Sequence, residues 1–133
     1  MAGYSGTPLE RKLGVKAGQT VFLDKAPEGF GLEVPTTTRL PEEGDVTLTF
    51  HTSRATLTKR LPTLIAHTAQ AGMIWICWPK QAAVKAHAIE SDLDEGVVRA
   101  VGLAAGVVDV KVCAIDEVWS GLKFVRRLAD RAP

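Results

Sequence analysis

A chain of 133 residues has room for one hydrophobic core and not for two, so a single domain over residues 1–133 is expected. Apolar residues make up 46% and charged residues 23%, which excludes the low-hydrophobicity, high-charge composition of a disordered chain. The 16 basic and 15 acidic residues leave a formal net charge of +1, so no long-range field draws the protein to nucleic acid or to an anionic membrane, and any anion site has to be local.

The first element is a short helix: Thr7 is placed to cap it, Pro8 suits its first position, Glu10 stands three residues on to close a capping box, and Gly14 stops it. Gln19 to Leu23 reads as a strand ending in the turn formers Asp24 to Gly29. Leu32 to Val34 and Thr36 to Arg39 read as an edge strand interrupted by Pro35. After a turn at Pro41 to Gly44, the residues Val46, Leu48 and Phe50 alternate with Thr47, Thr49 and His51, the period of a strand. Ser53 caps a helix that carries Leu57, Leu61, Leu64 and Ile65 in one stripe, kinked or divided at Pro62 and ended by Gly72.

Met73 to Trp78 is continuously apolar, as in a central strand covered on both faces, and it stops at Pro79-Lys80. Asp92 or Asp94 caps a helix through Val97, Val98, Val101 and Ala105, with Gly106 just past its end. Val107 to Ala114 is a further strand and Leu122 to Arg126 the last, joined by the loop 115–121. This alternation implies an α/β fold: a single three-layer Rossmann-like domain, with a mainly parallel sheet and an antiparallel C-terminal hairpin.

Cys77 and Cys113 each sit in a β-rich apolar run, where a small reduced thiol is the ordinary occupant. His51, His67 and His87 are 16 and 20 residues apart and share no zinc-ligand spacing with the cysteines, so no metal site is expected. No apolar run reaches the roughly 20 residues of a membrane span. The opening Met1 to Gly6 lacks a basic and then apolar export signal, and the expected location is cytoplasmic, with no membrane and no nucleic-acid partner.

Six short motifs in order resemble a bacterial family. Gly3-Tyr4-Ser5-Gly6-Thr7-Pro8-Leu9, Ala26-Pro27-Glu28-Gly29-Phe30, Trp78-Pro79-Lys80, Val101-Gly102-Leu103-Ala104-Ala105-Gly106, Lys111-Val112-Cys113-Ala114-Ile115-Asp116 and Trp119-Ser120-Gly121-Leu122-Lys123-Phe124-Val125-Arg126-Arg127 look like the proteins grouped as domain of unknown function 3052. That resemblance brings no established activity with it. More distantly, the strand order with its closing hairpin is similar to the second half of a class I methyltransferase sheet, which implies a site for S-adenosylmethionine (SAM). Such a site uses a glycine-rich turn after the first strand, where missing side chains let backbone N–H groups approach the ligand. Here the turn is Asp24 to Gly31, with Pro27 lacking an N–H and only Gly29-Phe30-Gly31 echoing the pattern.

Parallel α/β sheets bind ligands beyond the carboxyl ends of their strands. At that edge the candidate binding residues are Glu28, His51, Trp78, Lys80, Asp116 and Trp119. Trp78 and Trp119 offer apolar walls or core packing. Lys80 offers a cation, Asp116 a carboxylate or a turn former, and His51 a ring that titrates near neutral pH. No catalytic residue and no cofactor is assigned. The preferred reading is a non-catalytic module, not an enzyme, whose edge pocket of Trp78, Lys80, Asp116 and Trp119 takes a small anionic ligand or a partner segment. A SAM-dependent methyltransferase-like enzyme and a structural homo-oligomeric interaction domain are the alternatives.

Overall fold

The computed structural model describes residues 8–131. The proposed cap Thr7 and the motif from Gly3 to Thr7 lie outside them. In chain order the elements are α1 (Leu9–Leu13), β1 (Val21–Asp24), β2 (Gly44–Phe50), α2 (Arg54–Ala66), β3 (Thr68–Pro79), α3 (Gln81–His87), α4 (Glu95–Ala105), β4 (Val107–Ala114), β5 (Trp119–Arg126) and a last 3-10 turn at Leu128–Asp130. The five strands form one sheet in the order β1-β2-β3-β5-β4. β1, β2 and β3 are parallel to one another, and β5 lies antiparallel between β3 and β4, so four of the five strands run the same way.

Strand alternation sorts the apolar side chains to two sides of this sheet. On one side Phe22, Ile74, Ile76, Trp78, Leu122 and Phe124 pack with Leu57, Leu61 and Leu64 of α2 and Val98 and Val101 of α4. On the other, Val21, Leu23, Val46, Leu48, Phe50, Trp75 and Cys77 are covered by Leu13 of α1 and by the irregular chain carrying Ala26, Phe30, Leu32 and Val34. One layer is therefore helical, and the opposite layer is a five-residue helix plus an extended wrap.

Caps mark the helices as expected in three places. Gly14 and Gly106 adopt the left-handed conformation at the ends of α1 and α4, and the Ser53 hydroxyl accepts from the Thr56 N–H at the start of α2. Of the two proposed caps of α4, Asp94 does the capping at 2.8 Å, while Asp92 accepts from the Arg54 N–H at 2.7 Å and so joins α2 to the loop before α4. The helix carrying Pro62 is one helix, not two.

The expected capping box of Glu10 with Thr7 lies outside the described residues; Glu10 accepts from the Glu33 N–H, pinning the wrap to α1. Three expectations need correction. The segment from Leu32 to Arg39 is not a strand; its backbone pairs with the sheet only at Thr37, which bridges Phe22 on the outer side of β1. Gly72 does not end α2, which stops at Ala66. It lies in β3, where a Cβ would stand 2.8 Å from the Thr68 side chain and 3.0 Å from the carbonyl oxygens of Gly44 and Asp45, beside the register shift between β2 and β3. The last strand begins at Trp119 and not at Leu122, because Asp116 Oδ1 accepts from the N–H groups of Val118 and Trp119, each at 2.8 Å, and turns the chain within 115–118.

Both cysteines are free. Cys77 and Cys113 pair with opposite sides of Gly121 and so stand two strand spacings apart, about 10 Å between Cα atoms. A disulfide needs less than about 7 Å. Burial pushes the Cys77 thiol well up, with no cation beside it to draw the proton off. Among the described residues no helix is long and apolar enough to cross a membrane, and no group of three or more His, Cys, Asp or Glu is placed to hold a metal.

Candidate functional site

β1, β2 and β3 end at Asp24, Phe50 and Pro79, and β5 begins opposite Pro79 at Trp119, so the turns that follow these strands share one edge of the sheet. There a cleft of about 510 Å³ opens between the turn Pro27 to Gly31 and the hairpin loop, lined by Glu28, Phe30, Asp116 and Trp119, with Leu9 and Ile115 completing its apolar wall. Beneath it three aromatic rings stack edge to face. Phe30 lies 4.9 Å from Phe50, and Phe50 lies 5.2 Å from Trp119, at interplanar angles of 61° and 88°. Trp119 is fixed from both ends, by this stack and by the hydrogen bond of its N–H to Asp116.

Glu28, Asp116 and Trp119 thus come together, and the other three candidates stand elsewhere. Trp78 is 5% exposed and belongs to the core under α2 and α4. Lys80 does not line the cleft; its backbone N–H ties the start of α3 to the hairpin through the Val118 carbonyl at 2.8 Å. His51 is 3% exposed and belongs to a buried polar chain. Among the described residues the cleft carries two carboxylates and no lysine or arginine. The expected anionic ligand rested on Lys80, which lies outside this cleft.

The buried chain joins β1, β2 and α2. Arg60 grips Asp24 with two nitrogens, Nη2 to Oδ1 at 2.8 Å and Nε to Oδ2 at 3.2 Å. The Thr49 hydroxyl donates to Asp24 Oδ2 at 2.7 Å, His51 Nε2 lies 2.7 Å from that hydroxyl, and His51 Nδ1 lies 3.3 Å from the Thr56 hydroxyl. Burial raises the Asp24 carboxyl, but the hydrogen bonds from Arg60 and Thr49 outweigh it and hold the group below the usual carboxylate range. His51 is pushed down to about 4, chiefly by burial, against the attraction of Asp24. The ring is neutral at pH 7.

Sequence reasoning placed Asp24 in an edge loop but gave it no partner, and did not single out Phe30, Phe50 or Arg60. Phe50 is visible only as one apolar position in an alternating strand. Asp24 reads as a turn former because nothing in sequence announces an arginine 36 residues away.

The turn after β1 stands where the methyltransferase-like sheet order implies a cofactor. Gly29 and Gly31 border the cleft, and a Cβ at either would meet nothing within 4 Å, so the backbone there is open to close approach. Phe30 N–H is spent on the Pro27 carbonyl, and Pro27 has none. The N–H groups of Glu28, Gly29 and Gly31 have no protein acceptor among the described residues. With two carboxylates and an aromatic wall, these residues fit a cationic molecule with an apolar part.

No protein-family model matches the chain, and no curated protein matches its sequence, so the likeness to domain of unknown function 3052 stands on its motifs alone. Solved structures do match in fold. Magnesium protoporphyrin IX methyltransferase (ChlM) from Synechocystis PCC 6803 with bound SAH is similar at 11% identity and a TM-score of 0.54, over 74% of this chain and 53% of that one. The same enzyme with bound SAM gives 10% identity and 0.54 over 81% and 60%, and LepI in complex with SAM gives 10% and 0.57 over 90% and 39%. The chain thus spans between two fifths and three fifths of these proteins' lengths. The α/β, Rossmann-like, methyltransferase-like fold is that of proteins solved with SAM or SAH bound. This corrects the preference for a non-catalytic module and for no enzyme: the fold likenesses favour the methyltransferase-like alternative.

Proposed function

We propose that this chain is a methyltransferase-like enzyme that holds SAM in the cleft of Glu28, Phe30, Asp116 and Trp119. The observation that carries the reading is the charge of that cleft, two carboxylates and no lysine or arginine among the described lining residues, over an aromatic stack at the carboxyl edge of a methyltransferase-like sheet. When bound, SAM supplies a methyl group on a positively charged sulfonium. Glu28 and Asp116 put negative charge beside such a cation in a partly apolar setting, where the attraction is stronger than in water. The Phe30 and Trp119 rings offer faces that favour a cation or an aromatic base, and the open backbone at Gly29 and Gly31 lets the ligand sit close.

Glu28 has no hydrogen-bond or ion-pair partner among the described residues, whereas Asp116 is held by two backbone N–H groups and His51 is enclosed in its own chain. An acceptor that is already nucleophilic at neutral pH suits this site. The six motifs that resemble domain of unknown function 3052 belong to the same reading, because they include Glu28, Asp116 and Trp119.

Calorimetric titration and thermal shift with SAM and SAH test it. SAM carries the sulfonium charge and SAH does not, so SAM should bind more tightly, and Glu28→Gln with Asp116→Asn should narrow the gap while leaving the turn acceptor in place. No heat and no melting shift with either compound at millimolar concentration would overturn the proposal.

A further inference from the structure

A second cleft, of about 320 Å³, lies beside α2 at the end of β1 and has the opposite character: it is lined by Lys25, Thr56, Lys59, Arg60 and Thr63. We infer that this cleft binds the phosphate group of a small phosphate ester. The inference is independent of the SAM reading.

The arrangement follows from the helix. Thr56, Lys59, Arg60 and Thr63 stand at i, i+3, i+4 and i+7, one face of α2, while Leu57, Leu61 and Leu64 fill the core from another. Lys25 completes the cleft from the turn after β1. It is one of two non-glycine residues with positive φ among the described residues, at 58°, in the left-handed region that non-glycine residues seldom occupy and that is a frequent mark of ligand-holding turns. Neither Lys25 nor Lys59 has an ion-pair partner among the described residues.

Arg60 differs from an ordinary surface arginine. Its Nε and Nη2 are locked on the buried Asp24, which Thr49 and, through it, His51 hold in place, so the guanidinium is oriented before any ligand arrives and Nη1 is uncommitted among the described residues. Asp24 and Arg60 neutralise each other, so the net positive charge of the cleft comes from Lys25 and Lys59. Two exposed ammonium groups, with Nη1 of the fixed guanidinium and the hydroxyl of Thr63, supply the charge-assisted donors that a dianionic phosphate takes. The volume is at the lower end of small-molecule sites, and the protein's near-zero net charge gives an extended polyanion nothing to follow beyond this patch.

The test is titration of inorganic pyrophosphate and of AMP into the protein at constant ionic strength, with chloride as control, followed by amide NMR. Saturable shifts concentrated at Lys25, Thr56, Lys59, Arg60 and Thr63, weakened about tenfold or more in Lys25→Gln with Lys59→Gln but kept in Glu28→Gln with Asp116→Asn, support the site. Arg60 is left intact so that the Asp24 chain, and the rest of the spectrum, stay native. Shifts that do not saturate, that spread over other basic residues, or that survive the double lysine variant overturn it. A single-stranded oligonucleotide that binds through these residues more tightly than AMP overturns the small-ester assignment. Pyrophosphate binding without SAM binding, or the reverse, separates this inference from the proposed function.

Discussion

The Thr49 hydroxyl has one proton and gives it to Asp24, 2.7 Å away, so the ring proton of neutral His51 must sit on Nε2, which is 2.7 Å from the same oxygen. One threonine thereby sets the tautomer of a buried histidine. Thr49→Val removes the link, leaves His51 Nε2 buried without its partner and takes one donor from Asp24, which keeps Arg60. The expected loss is about 1–3 kcal/mol of unfolding free energy, read by denaturant titration. Nitrogen shifts of His51 in the native protein should show the Nε2–H form, and the Nδ1–H form would contradict this hydrogen-bond chain.

The same histidine makes the fold sensitive to acid. Its folded value of about 4 lies below the ordinary 6.5, so between the two the unfolded chain binds more protons than the folded one and stability rises with pH. The contribution is complete above about pH 6.5 and is lost as the pH falls toward 4, amounting to at most about 3 kcal/mol at 1.36 kcal/mol per unit. Asp24, held low, contributes above its ordinary value and gives that up at still lower pH. His51→Gln should flatten the melting temperature between pH 6.5 and 4.5 relative to the native chain.

Lys25 occupies a backbone conformation suited to glycine. Lys25→Gly should raise stability by about 1 kcal/mol through relief of that strain, partly offset by the freer unfolded chain. It should also weaken pyrophosphate binding, and a lowered melting temperature would show that the lysine stem packs more than its exposure suggests.

Gly102 shows the opposite sign. Inside an exposed helix, alanine is better than glycine by about 1 kcal/mol, yet a Cβ at Gly102 would overlap three ring carbons of Phe124, which is fully buried. Gly102→Ala should therefore destabilise by about 1–3 kcal/mol, and chemical denaturation reads the sign directly.

Trp78 and Trp119 should behave differently despite their similar places in the sequence. Trp78→Ala opens the core beneath α2 and α4 and should cost about 3–5 kcal/mol. Trp119 is only half-buried, so Trp119→Ala should leave a folded protein with a smaller loss and abolish the SAM-induced melting shift. Equal unfolding of both variants would assign Trp119 to the core.

The periodic elements were legible because their side chains are sorted by burial. Val46, Leu48 and Phe50 announce a strand, and Asp94 and Gly106 bracket a helix. What escaped are features made by contacts distant in sequence. Gly72 reads as a helix stop, although its small size serves the backbone of Gly44 and Asp45. Trp119 reads as loop because the turn that pulls it into the sheet depends on one carboxylate oxygen. At the site, the loops at the carboxyl edge could be named in advance, but not which side chains face one another: Trp78 and Lys80, adjacent to a strand end, are turned to the core and tied to the hairpin, while Phe30 reaches in from the wrap.

The bridge at Thr37 also bears on how this protein meets its neighbours. Thr37 gives its N–H to the Val21 carbonyl and its carbonyl to the Leu23 N–H, each at 2.9 Å, on the outer side of β1. Those are the groups an incoming strand from another molecule would need. At the opposite border β4 shifts register between Asp109 and Lys111, which bends its edge away from a flat template. The sheet is guarded at both borders against growth by strand addition, so self-association by continuous β-pairing would first have to peel the Thr37 segment off.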